Sequence, residues 1–327
     1  MKKLIFIGLI IFICSCTYHE KTQINHEFEI QGFTARTFSY YYDENIYSAY
    51  NNNDNARLID KAKNSGANYL LIRAFYNGTA DGGLIGDEKK AMKSLEKMIS
   101  TSHKNGLKIF LAPYVESRDY NNKIWILDSE IWSSAVLRWA EFAERNNVEM
   151  FCPGVEMNLI LGDEAGTYIK DILPKIRKIY SGKIITAEQF DTENWKRIDN
   201  AEAFAGYDCI GLTLFPRKEY DRISDMRSIE DYTEYVENEA EVIDMLSKKY
   251  NIQCKLAVPM GLDYWKGSYD YSPVPSAEDV AMTLNIGLDI LKQHNFTGVF
   301  ISHWASEHDH FQENTAVEQM LRNRWIE

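Results

Sequence analysis

KIFLAP (108–113), SEIWSSAVLRWAEFAERN (129–146), MFCPGV (150–155) and KIITA (183–187) form the stretch that decides the fold. Three short apolar runs, rich in β-branched and aromatic residues and without in–out alternation, are what strands covered on both faces look like. Between the first two lies a segment of helical period, in which Trp132, Val136, Trp139 and Ala143 fall on one side behind a Ser129 N-cap.

The same alternation runs outward in both directions. Strands are predicted at 32–39, 69–75, 108–113, 150–155, 183–187, 209–214, 255–259 and 299–303. Helices are predicted at 55–64, 88–104, 129–146, 164–180, 193–204, 229–250, 277–293 and 315–324. Gly66, Gly106 and Gly182 stand where three of these helices hand over to the next strand, as C-cap residues do. Eight βα units with no composition break predict an α/β protein built as a single (β/α)8 TIM barrel. A doubly wound open sheet is the alternative, but no glycine-rich phosphate fingerprint follows the first strand.

Composition narrows the function. The 327 residues carry 36 Lys+Arg against 48 Asp+Glu, a formal charge of −12, which argues against nucleic acid or another polyanion as partner. Forty-five per cent apolar residues give enough material for a large core and exclude a disordered or disulfide-stapled chain.

The N-terminus reads Met1-Lys2-Lys3, an apolar run over 4–13, then Cys14-Ser15-Cys16. Basic residues before about ten apolar ones form a secretory signal, too short to span a bilayer. A cysteine directly after a small residue at its end matches a bacterial lipobox. The expected layout is a signal peptide at 1–15, a tether at 16–28 beginning with lipidated Cys16, and the barrel at 29–327. Each buried methylene of a lipid adds about 0.8 kcal/mol of membrane affinity, so a multiply acylated Cys16 would hold the protein to the cell envelope, at the periplasmic face or cell surface. Cys152, Cys209 and Cys254 sit in apolar runs and read as buried thiols. A single bridge between adjacent strands stays open in an oxidising compartment.

In such a barrel the chemistry lies at the C-terminal ends of the strands. Those ends offer Arg36, Arg73 with Tyr76, Tyr114 with Glu116, Glu156 with Asn158, Glu188 with Gln189, Arg217, Asp263 with Trp265, and His303-Trp304 with Glu307. Carboxylates, arginines and aromatics on one rim suit a sugar, which presents hydroxyls to charged groups and C–H faces to rings. The spacing of His303, His308, Asp309 and His310 matches no standard metal frame, and no metal or cofactor is expected. No Walker loop, nucleophile elbow or Cys/His catalytic pattern appears.

Phe151-Cys152-Pro153-Gly154-Val155-Glu156-Met157-Asn158, with Tyr207-Asp208-Cys209-Ile210-Gly211-Leu212 and Gly298-Val299-Phe300-Ile301-Ser302-His303-Trp304, resembles strands four, six and eight of clan A glycoside hydrolases, most closely family 113, the endo-β-mannanase type. The resemblance implies a TIM barrel cleaving a β-linked poly- or oligosaccharide. It puts Glu156 in the general acid/base position and Trp304 under the reacting sugar. Arg36, Arg73, Tyr114, Asn158, Trp265 and His303 would complete the substrate site.

The likeness breaks at strand seven, where Pro259-Met260-Gly261 stands in place of the clan's Glu-x-Gly nucleophile. A second carboxylate is still required, about 5–5.5 Å from the acid for retention or about 6.5–9.5 Å for inversion. Glu188 and Asp263 are the candidates, with Glu307 behind them. The missing glutamate also keeps open a barrel that binds glycan without cleaving it.

Overall fold

The computed structural model describes residues 26–35, 53–76, 88–115, 129–189, 194–199, 201–214, 229–260, 277–304 and 316–326. Eight parallel strands close into a barrel in sequence order. They are β1 (Ile30–Ala35), β2 (Tyr69–Tyr76), β3 (Lys108–Val115), β4 (Met150–Phe151), β5 (Lys183–Glu188), β6 (Cys209–Leu214), β7 (Cys254–Met260) and β8 (Gly298–Trp304). β8 pairs back onto β1, with Ile30 opposite Gly298, so no sheet edge is left open.

Helices fill the outer ring: α1 (Asn53–Asn64), α2 (Glu88–Lys104), α3 (Ser129–Arg145), α4 (Met157–Leu161), α5 (Ala165–Ile176), α6 (Asn194–Asp199), α7 (Ile229–Tyr250), α8 (Ala277–Gln293) and α9 (Ala316–Trp325). The apolar stripe of α3 buries Trp132, Val136, Trp139 and Ala143 as its periodicity requires. Side chains alternate across the strands, so the barrel holds a small inner core that includes Leu71, Phe110, Met150, Ile185, Leu256 and Phe300. Phe110 and Phe300 meet edge to face at 5.2 Å there.

Three local readings change. Gly66 and Gly106 take the left-handed φ of 84° and 80°, but Gly182 is not among the positive-φ residues. A Cβ on Gly182 would lie 2.3 Å from the Tyr180 hydroxyl, so that glycine answers a close approach. The helix expected at 164–180 is preceded by the short α4 and a 3-10 turn at Gly162–Glu164. The helix expected at 193–204 shortens to α6.

The thiol reading of Cys209 and Cys254 is corrected. They open β6 and β7, face each other in register, and form a disulfide with Cα atoms 4.5 Å apart; among the described residues Cys152 is left as a buried thiol. Odd numbers had favoured three thiols, but register between neighbouring strands decided the pair.

The disulfide lies at the N-terminal face of the barrel, and other ties gather there. Lys255 of β7 reaches Asp244 of α7 at 2.6 Å and also bonds the His294 carbonyl. The His294 ring sits between Asp244 at 2.8 Å and Glu237 at 2.9 Å. Arg324 near the end of α9 pairs with Glu27 and, at 2.8 Å, with Asp289, tying the last helix to the segment ahead of β1.

Candidate active site

The site is built where β4 ends. β4 makes only two ladder residues because Pro153 has no N–H to give, yet Cys152 still donates its N–H to the Leu111 carbonyl at 3.0 Å. The chain bends at Pro153-Gly154 and returns to the sheet at Val155, which bridges to Ala187 of β5. A Cβ on Gly154 would stand 2.3 Å from the Met157 sulfur, so the glycine gives the Met157 side chain its place as α4 folds back. The Tyr168 hydroxyl of α5 fixes the bend by donating to the Pro153 carbonyl at 2.9 Å.

Glu156 follows with φ 56° and ψ 40°. Left-handed backbone is unfavourable for a residue with a side chain, by roughly 1–2 kcal/mol, and persists where the surroundings enforce it. The Glu156 N–H donates to the Ala187 carbonyl at 2.8 Å. Its carboxylate accepts the Thr213 hydroxyl from β6 at 2.9 Å, and the residue is 4% exposed.

Glu188, the last residue of β5, is 1% exposed. One of its oxygens accepts the Asn158 N–H at 3.0 Å. Burial pushes its carboxyl up to about 8; the Asn158 N–H opposes this, the Glu156 charge adds to it, and the Met157 N–H opposes it. Asn158 is buried too, and its side-chain amide donates to the Gln189 carbonyl at 2.8 Å. With that orientation fixed, Asn158 Oδ1 and Gln189 Oε1 are buried acceptors without a partner among the described residues.

The structure thus brings together Glu156, Glu188 and Asn158. Arg73 lies half-buried on β2, opposite Ala112 of β3. Tyr114 belongs to β3, and His303 and Trp304 to β8, with Trp304 in register with Ala35; their side chains lie outside the described residues. Arg36, Asp263, Trp265, Glu116, Glu307 and Cys16 lie outside them altogether. Thr213 was not selected by the sequence as a site residue. The signal for Thr213 was a hydroxyl one residue from the site end of the apolar run Cys209–Leu214. Among the described residues no three side chains converge to hold a metal, and no helix is long and apolar enough to cross a membrane.

A match to Glycoside Hydrolase Family 113 spans residues 37–253, more than half of the chain. The chain belongs to that family. The matched span holds β2 to β6 with Glu156, Glu188 and Thr213, and it ends immediately before β7. Among curated proteins none matches in sequence. Among solved structures, a GH113 β-1,4-mannanase complex is 15% identical with a TM-score of 0.65, covering 91% of this chain and 98% of its own. The GH113 β-mannanase AaManA from Alicyclobacillus acidocaldarius is 12% identical with a TM-score of 0.63, covering 91% and 96%. PbGH5A, a glycoside hydrolase family 5 enzyme from Prevotella bryantii B14, is 13% identical with a TM-score of 0.64, covering 91% and 96%. At such identities the likeness is one of fold, and the (β/α)8 barrel is what this chain shares with them.

Proposed function

We propose that this GH113 barrel hydrolyses a β-linked poly- or oligosaccharide, of the mannan type suggested by the β-1,4-mannanases it resembles. The observation that carries the reading is Glu156: a buried carboxyl held by Thr213 in a left-handed turn at the C-terminal end of β4. There Glu156 protonates the departing glycosidic oxygen, then takes a proton from the incoming water. Arg73, Asn158 and, beyond the described side chains, Arg36, Tyr114, His303, Trp304 and Trp265 hold the sugar.

The second carboxylate is assigned to Asp263. Glu188 keeps its proton to about pH 8, and a neutral carboxyl is neither nucleophile nor base. Asp263 lies three residues past Met260, the end of β7, in the region where clan A enzymes carry their nucleophile.

Export and anchoring through a lipid on Cys16 belong to the same proposal. The Cys209–Cys254 disulfide supports it, since such bonds persist in oxidising compartments. The test is a reducing-sugar assay over mannan, glucan, xylan and galactan with wild type and Glu156→Gln. Release from one polymer by wild type only is expected. A second reading rests on Pro259 at the clan's nucleophile position: glycan binding without turnover would favour a barrel that has lost catalysis.

A further inference from the structure

Three consecutive residues at the end of β5 grip the turn that carries Glu156. The Ala187 carbonyl accepts the Glu156 N–H at 2.8 Å, the Glu188 carboxyl accepts the Asn158 N–H at 3.0 Å, and the Gln189 carbonyl accepts the Asn158 side chain at 2.8 Å. Two of these rungs are main-chain acceptors that any residue would supply. The middle one depends on a side chain, and it acts two residues beyond a backbone at φ 56° that prefers to relax. Relaxation to a right-handed φ would turn the Glu156 side chain by more than a right angle and take its carboxyl away from Thr213.

We infer that Glu188 is a positioning residue, a side-chain rung that locks the left-handed turn of Glu156 and so aims the carboxyl at the scissile bond. This rests on the hydrolase reading for its kinetic consequence, but not for its structural one. The role differs from that of a nucleophile in what it needs: an acceptor oxygen at the right distance, not a charge.

Three substitutions separate the two roles. Glu188→Gln keeps an acceptor, Glu188→Leu fills the volume without one, and Glu188→Ala leaves a space. Hydrogen exchange of the 155–161 segment is expected to be faster in Glu188→Leu and Glu188→Ala and wild-type-like in Glu188→Gln. In hydrolysis of the active polymer, kcat should fall about 10²-fold in Glu188→Leu and Glu188→Ala with little change in KM, as a misaimed group produces, and less than about tenfold in Glu188→Gln. Azide should not restore Glu188→Ala.

Equal inactivity of the Gln and Ala variants, or rescue by azide, would overturn the proposal and make Glu188 the nucleophile. Unchanged exchange in Glu188→Leu would overturn it as well, because the rung would then not hold the turn. If wild type hydrolyses nothing, the hydrolase reading fails by itself, and the exchange measurement still decides on the rung.

Discussion

Replacing Glu188 with Gln should make the protein more stable, by an amount that grows with pH. In the folded protein burial holds the Glu188 proton to about pH 8, against 4.5 for an ordinary glutamate. Over that interval the unfolded chain has released the proton and the folded chain has kept it. The folded state then binds more protons than the unfolded one, so stability falls as pH rises, by about 1.4 kcal/mol per pH unit. The loss is absent below pH 4.5, reaches about 3 kcal/mol at pH 7, and levels off near 5 kcal/mol above pH 8. Glutamine accepts the same Asn158 N–H and has no proton to lose.

Urea unfolding of wild type and Glu188→Gln at several pH values from about 4 to 8.5 measures the effect directly. Any constant offset reports packing and the altered hydrogen bond. The pH-dependent part reports the buried proton, and the gap between the two curves should widen by about 3 kcal/mol from pH 4 to pH 7. Curves that stay parallel within about 0.5 kcal/mol would refute the reasoning, since the carboxyl would then titrate alike in both states.

Other consequences follow from particular contacts. Glu156→Gln cannot donate a proton, so hydrolysis of natural glycosides should drop about 10²–10⁴-fold, while aryl glycosides with good leaving groups keep their glycosylation rate in a burst assay. Cys209→Ser with Cys254→Ser opens a cross-link of sequence separation 45, which should lower the unfolding free energy by about 4 kcal/mol while leaving KM unchanged, because the bond is on the face opposite Glu156. Burial alone would lower His294, but its bonds to Asp244 and Glu237 raise it, with Lys255 also on Asp244. Its contribution is therefore full below pH 6.5 and lost as pH climbs through the raised value, so the melting-temperature advantage of wild type over His294→Gln should shrink toward alkaline pH. Cys16→Ser should move the protein from the membrane fraction to the soluble one; equal fractionation of both would remove the lipid anchor.

The barrel was legible because strands buried on both faces leave continuous apolar runs, and these need no partner to be seen. Phe110, Met150 and Ile185 report their burial in their own side chains. The site was legible only in part. Glu156 stood out at a strand end, but its backbone depends on bonds to Ala187 and, through Asn158, to Glu188, 30 residues further on, and its carboxyl on Thr213, 57 residues away. No local propensity encodes such bonds. α4 escaped for the same reason: five residues set between a left-handed glutamate and Gly162, φ 55°, carry no helical period. The disulfide escaped because three cysteines in three apolar runs look alike until register places two of them opposite each other.

The distribution of these features divides the barrel by task. At the N-terminal face lie the cross-link, the Lys255–Asp244–His294–Glu237 cluster and the Arg324 clamp on Glu27 and Asp289. Each ties elements distant in sequence. At the C-terminal face the features have the opposite sign: a glutamate in left-handed backbone, an acid kept neutral by burial, and two buried acceptors on Asn158 and Gln189 without partners among the described residues. Each of these costs stability where it stands, and the two acceptors are of the kind that sugar hydroxyls satisfy. A barrel of this kind tolerates the second set because the first lies at the other end of the same strands. β6 and β7 are joined by the bridge at their first residues, while β6 still delivers Thr213 to Glu156 near its last. Strain at the site is thus carried by strands whose far ends are fixed, and a variant that loosened the N-terminal face would be expected to spread its effect through packing before it reached Glu156.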